Sequence, residues 1–359
     1  MRKLSPFLAL VLALIIVVPV YAARVWVARA PLPDPDGAGP ETAGTFGACV
    51  DDAKRDQIVV AYGFNAGTNT DTRATRIYEI RADAWRIGPE APAPARRFIA
   101  GAVHDGKLFC AGGGSDLGAF ADVDRFDPST NRWTKLAPLP GPRVGAAGVS
   151  QPRGFFVLGG SSGPGPCDSP TNTVLRFDDR TGAWVPAGTL IVPRSTAGAA
   201  RIGRYIYLFG GCTEGGAGLD SVERFDTRAG TSIVLPVAMP GGGRNGPAAA
   251  TRGGQIHVTG GRDDFGSDPQ PNHIIFRPQA GQNTGTFAEG PQMPNHCVDV
   301  AEGRSAHGLV SHGGRLFAVA GSCSSVPTTL SNLDELVGQD RDGSHENRDR
   351  GDNDHEGDD

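Results

Sequence analysis

Apolar and polar positions along this chain recur with a long period. Short apolar runs end in a paired glycine at Leu108-Phe-Cys-Ala-Gly-Gly113, Phe156-Val-Leu-Gly-Gly160, Tyr207-Leu-Phe-Gly-Gly211 and His257-Val-Thr-Gly-Gly261, with a degraded copy at Phe317-Ala-Val-Ala-Gly321. The second glycines of the four full copies stand 47, 51 and 50 residues apart. A second string follows each pair, as Val123-Asp-Arg-Phe-Asp127, Val174-Leu-Arg-Phe-Asp178 and Val222-Glu-Arg-Phe-Asp226, and Trp85, Trp133 and Trp184 keep the same beat. An arginine opens successive units at Arg96, Arg143, Arg194, Arg244 and Arg304. Self-similarity at this period means units that cannot bury their own faces and must stack on one another.

Each unit reads as four short strands. Strand a is small and Ala/Gly-rich, as at Ala146 to Val149; strand b is the apolar run into the glycine pair; strand c carries Val-x-Arg-Phe-Asp; strand d carries the Trp. Turns between c and d, such as Pro128-Ser-Thr-Asn131, use residues that tolerate tight-turn dihedrals. Four antiparallel strands per period predict a propeller blade.

These features resemble the kelch family of β-propellers. The glycine pairs with their apolar runs, the Val-x-Arg-Phe-Asp strands and the phased Trp carry the resemblance over about residues 24–337. Blade 1 departs from it with Tyr62-Gly63 for its pair, blade 4 with Ser232-Ile233 where Trp is expected, and blade 5 with Phe287.

A sixth unit runs from about Ser305 to Val337 and stops before its Trp strand. The missing strand is read at the other end, where Val25-Trp26-Val-Ala-Arg-Ala-Pro-Leu-Pro33 matches Arg132-Trp133-Thr-Lys-Leu-Ala-Pro-Leu-Pro140. The expectation is an all-β, six-bladed kelch-type propeller over residues 23–337. Its last blade is closed by the N-terminal strand around Trp26, which removes the open sheet edges.

The two ends are different material. Residues 1–22 read as a signal peptide: a cationic Met1-Arg2-Lys3, an apolar run, and a small-x-small site ending at Ala22. Retention as an anchor is the alternative, since the apolar run is near bilayer-spanning length. Residues 338–359 hold nine acidic residues and three arginines and read as a disordered, solvating tail. Asp340-Arg-Asp-Gly343 echoes the start of a calcium loop, but no glutamate follows at the required spacing. Without its termini the chain is close to neutral, so nucleic acid is excluded as a partner for want of a basic stripe.

Six cysteines in an exported chain point to disulfides. Cys297 and Cys323 fall in one region, and Cys167 and Cys212 lie in the glycine-pair loops of adjacent blades. Cys49 and Cys110 are left to bridge or to stay as buried thiols. No Cys-x-x-Cys or histidine spacing supports a metal site, and no cofactor is expected.

Positions shared by all blades serve the framework, so candidates for function are the breaks in the repeat. The opening arginines and Tyr207 are read as structural, and His104 and His312 as surface turn residues. Three places after the opening arginine stand Ala146, Ala197 and Pro247, but His307 in blade 6. After the glycine pair, other blades carry Gly114, Ser161, Cys212 and Ser322, but blade 5 carries Arg262-Asp263-Asp264. Asp116, Asp168 and Glu214 belong to neighbouring loops on that face and are expected to contribute.

The expected function is a secreted or periplasmic module, monomeric, that binds a protein or glycan through loops on one face. The family resemblance also implies an alternative, a carbohydrate-active enzyme such as a sialic acid mutarotase-like epimerase, with His307, Glu214 and Arg262 as acid, base and binding groups. The copper-radical oxidases that share this fold need paired tyrosines and histidines. The mature chain has only Tyr62, Tyr78, Tyr205 and Tyr207, all in framework strands.

Overall fold

The computed structural model describes residues 24–33, 47–53, 56–65, 67–263, 269–297, 304–323 and 330–337. The segment read as a signal peptide, the acidic C-terminal stretch and Asp264 lie outside the described residues. Val25–Val337 form one compact unit.

Six four-stranded antiparallel sheets make the blades. Their inner strands are Cys49–Ala53, Ala100–His104, Ala147–Gln151, Gly198–Ile202, Ala248–Arg252 and Gly308–His312, and each touches the next around a closed ring. Strand b of blade 3, Gly154–Leu158, is buried along its whole length. It packs against neighbouring blades on both faces, which is why its sequence is a continuous apolar run rather than an alternation. Inner strands alternate instead, as Ala147–Gln151 does, because one face meets the channel. Their small residues follow from crowding at the axis: a Cβ on Gly148 would stand 2.7 Å from the backbone nitrogen of Gly101 in the next blade.

The sixth blade is discontinuous in sequence. Val25–Ala28 pairs antiparallel with Leu333–Val337, with Trp26 opposite Leu336, and completes the sheet Gly308–His312, Arg315–Val319, Leu333–Val337. The N-terminal strand therefore closes the ring.

The outer tryptophans stitch blade to blade. Trp85 donates to the carbonyl of Ala30 at 2.7 Å, Trp133 to Pro89 at 3.2 Å, Trp184 to Ala137 at 2.9 Å and Trp26 to Pro291 at 2.9 Å. Each indole lies on strand d of one blade and reaches the chain that leaves strand d of the preceding one, so Trp and the Ala-Pro turn are phased together. In blade 4 the slot opposite Phe225 holds Ser232, which donates to Glu223 at 2.5 Å instead.

Three disulfides join Cys49 to Cys110, Cys167 to Cys212 and Cys297 to Cys323, with Cα separations of 5.8, 5.9 and 5.7 Å. The first crosses from the inner strand of blade 1 to strand b of blade 2, and the second ties the loops of blades 3 and 4. No helix among the described residues is long and apolar enough to cross a membrane.

His104 and His312 are more than turn residues. His104 is buried and reaches blade 3, with Nδ1 3.0 Å from Ser150 and Nε2 2.9 Å from Asp179. His312 reaches blade 1, with Nδ1 2.9 Å from Asp52 and Nε2 2.7 Å from Asp56. Both end an inner strand, where a side chain naturally meets the next blade.

Candidate functional site at the channel mouth

The opening arginines are held inside the framework. Arg96 pairs with Asp124 at 2.6 Å and Arg194 with Glu223 at 3.0 Å, all fully buried, and Arg304 pairs with Asp334. The acids occupy the variable position of the Val-x-Arg-Phe-Asp strand. Where that position is apolar, as Leu175 and Ile274, the arginine turns to other acceptors: Arg143 donates to Thr173 at 2.6 Å, and Arg244 to the carbonyls of Pro240, Gly260 and Asn272. Burial lowers the pKa of Arg244 to about 10, with Asp263 opposing the shift.

Two residues beyond each opening arginine the backbone turns left-handed, at Phe98, Gly145, Thr196, Gly246 and Ala306, and Gly47 does the same in blade 1. These six residues form a closed hydrogen-bonded circle. Each amide donates to the carbonyl of the preceding blade's residue: Phe98 to Gly47, Gly145 to Phe98, Thr196 to Gly145, Gly246 to Thr196, Ala306 to Gly246 and Gly47 to Ala306, at 2.6 to 3.1 Å. The circle is a rigid collar around the channel and leaves its own donors and acceptors satisfied.

Side chains next to this collar line a cavity of about 450 Å³. Arg97, Asn245 and Ser305 come from the position after the opening arginine, and Arg262 and Ser322 from the position after the glycine pair. The two positions form a short antiparallel bridge within each of blades 2 to 6, as in Asn245 with Arg262 and Ser305 with Ser322. Pairing of the two explains how the most variable residues of the repeat converge on one rim. Phe64, Phe98 and Pro166 add apolar wall, and no carboxylate among the described residues lines the cavity.

Arg262 is 9% exposed and donates to Ser305 at 3.0 and 2.5 Å, to Ser322 at 3.1 Å and to the carbonyl of Cys323 at 2.8 Å. Asp263, its neighbour, accepts from Gln270 at 2.5 Å outside the cavity. His307 lines the cavity wall, with Nε2 2.8 Å from the hydroxyl of Thr259 and Nδ1 enclosed without a partner among the described residues. Burial, reinforced by the Arg304 charge, holds this imidazole neutral by pushing its pKa well below the usual histidine range.

The remaining predicted residues stand on loops of the same face but do not line the cavity. Asp116 pairs with Arg97 at 2.5 Å. Asp168 accepts from the amide of Gly165 at 2.6 Å and so shapes its own loop. Glu214 lies on the loop after the blade 4 glycine pair.

Arg97 was not singled out by sequence reasoning. It sits over the Phe64 ring at 4.6 Å, bonds Asp71 at 3.1 Å, and enters the cavity. Its signal was present in the variable column Arg97, Val144, Ser195, Asn245, Ser305, immediately beside the invariant arginine that masked it. Beside it, Leu117 is 91% exposed at the tip of a ribbon formed by Gly114–Ser115 and Gly118–Ala119.

Comparison with known proteins agrees with this architecture. A family model described as Kelch motif matches residues 95–140 and 193–236. Alpha-scruin of Limulus polyphemus is 28% identical over 165 residues, 44% of this chain and 18% of that protein. Kelch-like protein 34 of Homo sapiens is 31% identical over 152 residues, 39% of this chain and 23% of that protein. The chain thus spans about a fifth of the length of these two relatives. The solved structure of YjhT superposes with a TM-score of 0.69 at 16% identity, covering 84% of this chain and 99% of that one, a likeness of fold alone.

Proposed function

We propose, on the premise that this chain is a kelch-repeat β-propeller, that it is an exported binding module whose partner, a protein segment or a glycan, docks at the channel mouth. The cavity beside the collar carries this reading, because it gathers Arg97, Arg262 and Asn245 from the positions that differ between blades over a frame that does not. A rigid backbone circle with varied side chains is a recognition surface, preorganised and without the cost of ordering loops. Leu117 at the lip supports a protein contact. Three disulfides are consistent with an extracellular or periplasmic location, and the N-terminal apolar segment with export.

The mutarotase-like alternative loses ground at His307. Nε2 is engaged by Thr259 and Nδ1 is enclosed, so the imidazole lining the cavity has its nitrogens turned to the wall in this arrangement, which weighs against a role as acid or base. Screening of the purified chain against peptide and glycan arrays, beside an Arg97→Ser/Asn245→Ala variant with unchanged melting temperature, tests the proposal. Capture lost in the variant supports the mouth as the site; capture retained refutes it. Acceleration of sugar anomerisation by NMR, abolished in His307→Ala, would establish the enzyme instead.

A further inference from the structure

On the face opposite the mouth, a second hollow of about 680 Å³ opens between blades 2 and 3. Its polar lining includes Arg125, Gln151, Asp179 and Arg201, beside His104, Asp105 and Ser150, and Leu136 and Phe177 supply an apolar wall. Arg125 is the arginine of the blade 2 Val-x-Arg-Phe-Asp strand, so its equivalents give a direct comparison. Arg176 donates to the carbonyl of Arg153 at 2.9 Å and pairs with Asp178 at 3.5 Å. Arg224 donates to Asn283 at 2.7 Å and lies 4.4 Å over the Tyr205 ring.

Arg125 has neither kind of tether. Its guanidinium lies 5.9 Å from the centre of the Phe109 ring and, among the described residues, makes no hydrogen bond or ion pair. The same holds for the side chain of Arg201, at the end of the blade 4 inner strand. Gln151 occupies the strand-end position at which His104 and His312 reach across to the next blade, yet among the described residues its amide nitrogen is enclosed without an acceptor. The side chain is 3% exposed and lines the hollow.

We propose that this hollow is a second binding site, distinct from the channel mouth, for a saccharide bearing a carboxylate. Two unengaged guanidiniums offer forked donors to the carboxylate. Asp179, already oriented by His104 at 2.9 Å, and Asp105 at the lip accept from ring hydroxyls. Leu136 meets the C–H face of the ring. A neutral apolar ligand would leave the arginines without partners, and a simple inorganic anion would leave the apolar wall and the acids unused.

The test is titration of the intact chain with methyl β-D-glucuronide and methyl β-D-glucoside, followed by NMR. The glucuronide is expected to perturb this hollow at millimolar concentration and the glucoside to bind about tenfold more weakly or not at all. Arg125→Gln and Arg201→Gln should each weaken the glucuronide by about tenfold while the melting temperature holds, since both side chains are untethered. Arg97→Ser at the mouth should leave the glucuronide-induced shifts at this hollow unchanged. Equal binding of the two glycosides, no binding of either, unchanged affinity in both arginine variants, or a loss confined to the mouth variant would each overturn the proposal.

Discussion

The amide of Ala306 donates to the carbonyl of Gly246 at 3.0 Å while Ala306 is held at φ 50°. Left-handed backbone strains a side chain, and the collar imposes it in every blade whether or not glycine is present. Ala306→Gly relieves that strain and should raise stability by about 0.5–1 kcal/mol in chemical denaturation, the entropy of a freer unfolded chain offsetting part of the gain. Gly145→Ala should do the reverse, because a Cβ there would stand 2.5 Å from the Ser195 hydroxyl.

Closure by the N-terminal strand predicts that Trp26→Ala weakens the whole ring. The indole bonds Pro291 and packs edge-on to His273 at 5.7 Å, linking blade 6 back to blade 5. A loss of about 2–3 kcal/mol is expected for this partly buried side chain. An unchanged melting temperature would mean that the strand contributes nothing to closure.

Arg304 and Asp334 form an ion pair buried inside blade 6, and His296 also approaches Asp334 at 2.9 Å. Removing the acid leaves a guanidinium in the interior, so Asp334→Ala should cost about 3–5 kcal/mol. Leu175, which fills the same position in blade 3, shows that the site itself accepts an apolar residue. The double change Arg304→Met/Asp334→Leu should therefore recover most of the loss, as a double-mutant cycle would read out.

His312 joins blade 6 to blade 1 across the closing seam. Burial alone pushes its pKa down, but the hydrogen bonds and charges of Asp52 and Asp56 outweigh this and raise it. The groups around it are Asp52, pushed up mainly by burial, and Asp56, held down by His312 and by Arg81, with Arg315 adding to the field. A raised folded pKa means that the contribution is complete below about pH 6.5 and is lost as pH rises through the folded value. The melting-temperature gap between wild type and His312→Gln should widen on acidification from about pH 8 to about pH 6; a constant gap would show that the latch does not titrate.

The Cys49–Cys110 bridge spans 61 residues and fastens the seam between blades 1 and 2. Replacing both cysteines by alanine should cost about 2–4 kcal/mol. Denaturation of the intact and doubly substituted chains under non-reducing conditions measures it.

Blade number, strand order and the displaced strand at Trp26 were legible in the sequence because each blade solves the same packing problem and so repeats the same residues at the same spacing. Cys167 with Cys212 and Cys297 with Cys323 were legible for the same reason, since register alone placed each pair together. The site was only partly legible. Arg262 and His307 were visible as breaks in the pattern and do line the mouth. Arg97 was hidden by the invariant arginine beside it, and Arg125 by its membership of the repeat.

What the sequence by itself determined is therefore the architecture, a local and repetitive property carried by periodic apolar runs. What only the tertiary structure decided is which varied side chains meet. Arg97, Asn245, Arg262 and His307 come from three different blades and converge because the ring closes. Such contacts depend on residues far apart in the chain, and no spacing within a single unit encodes them.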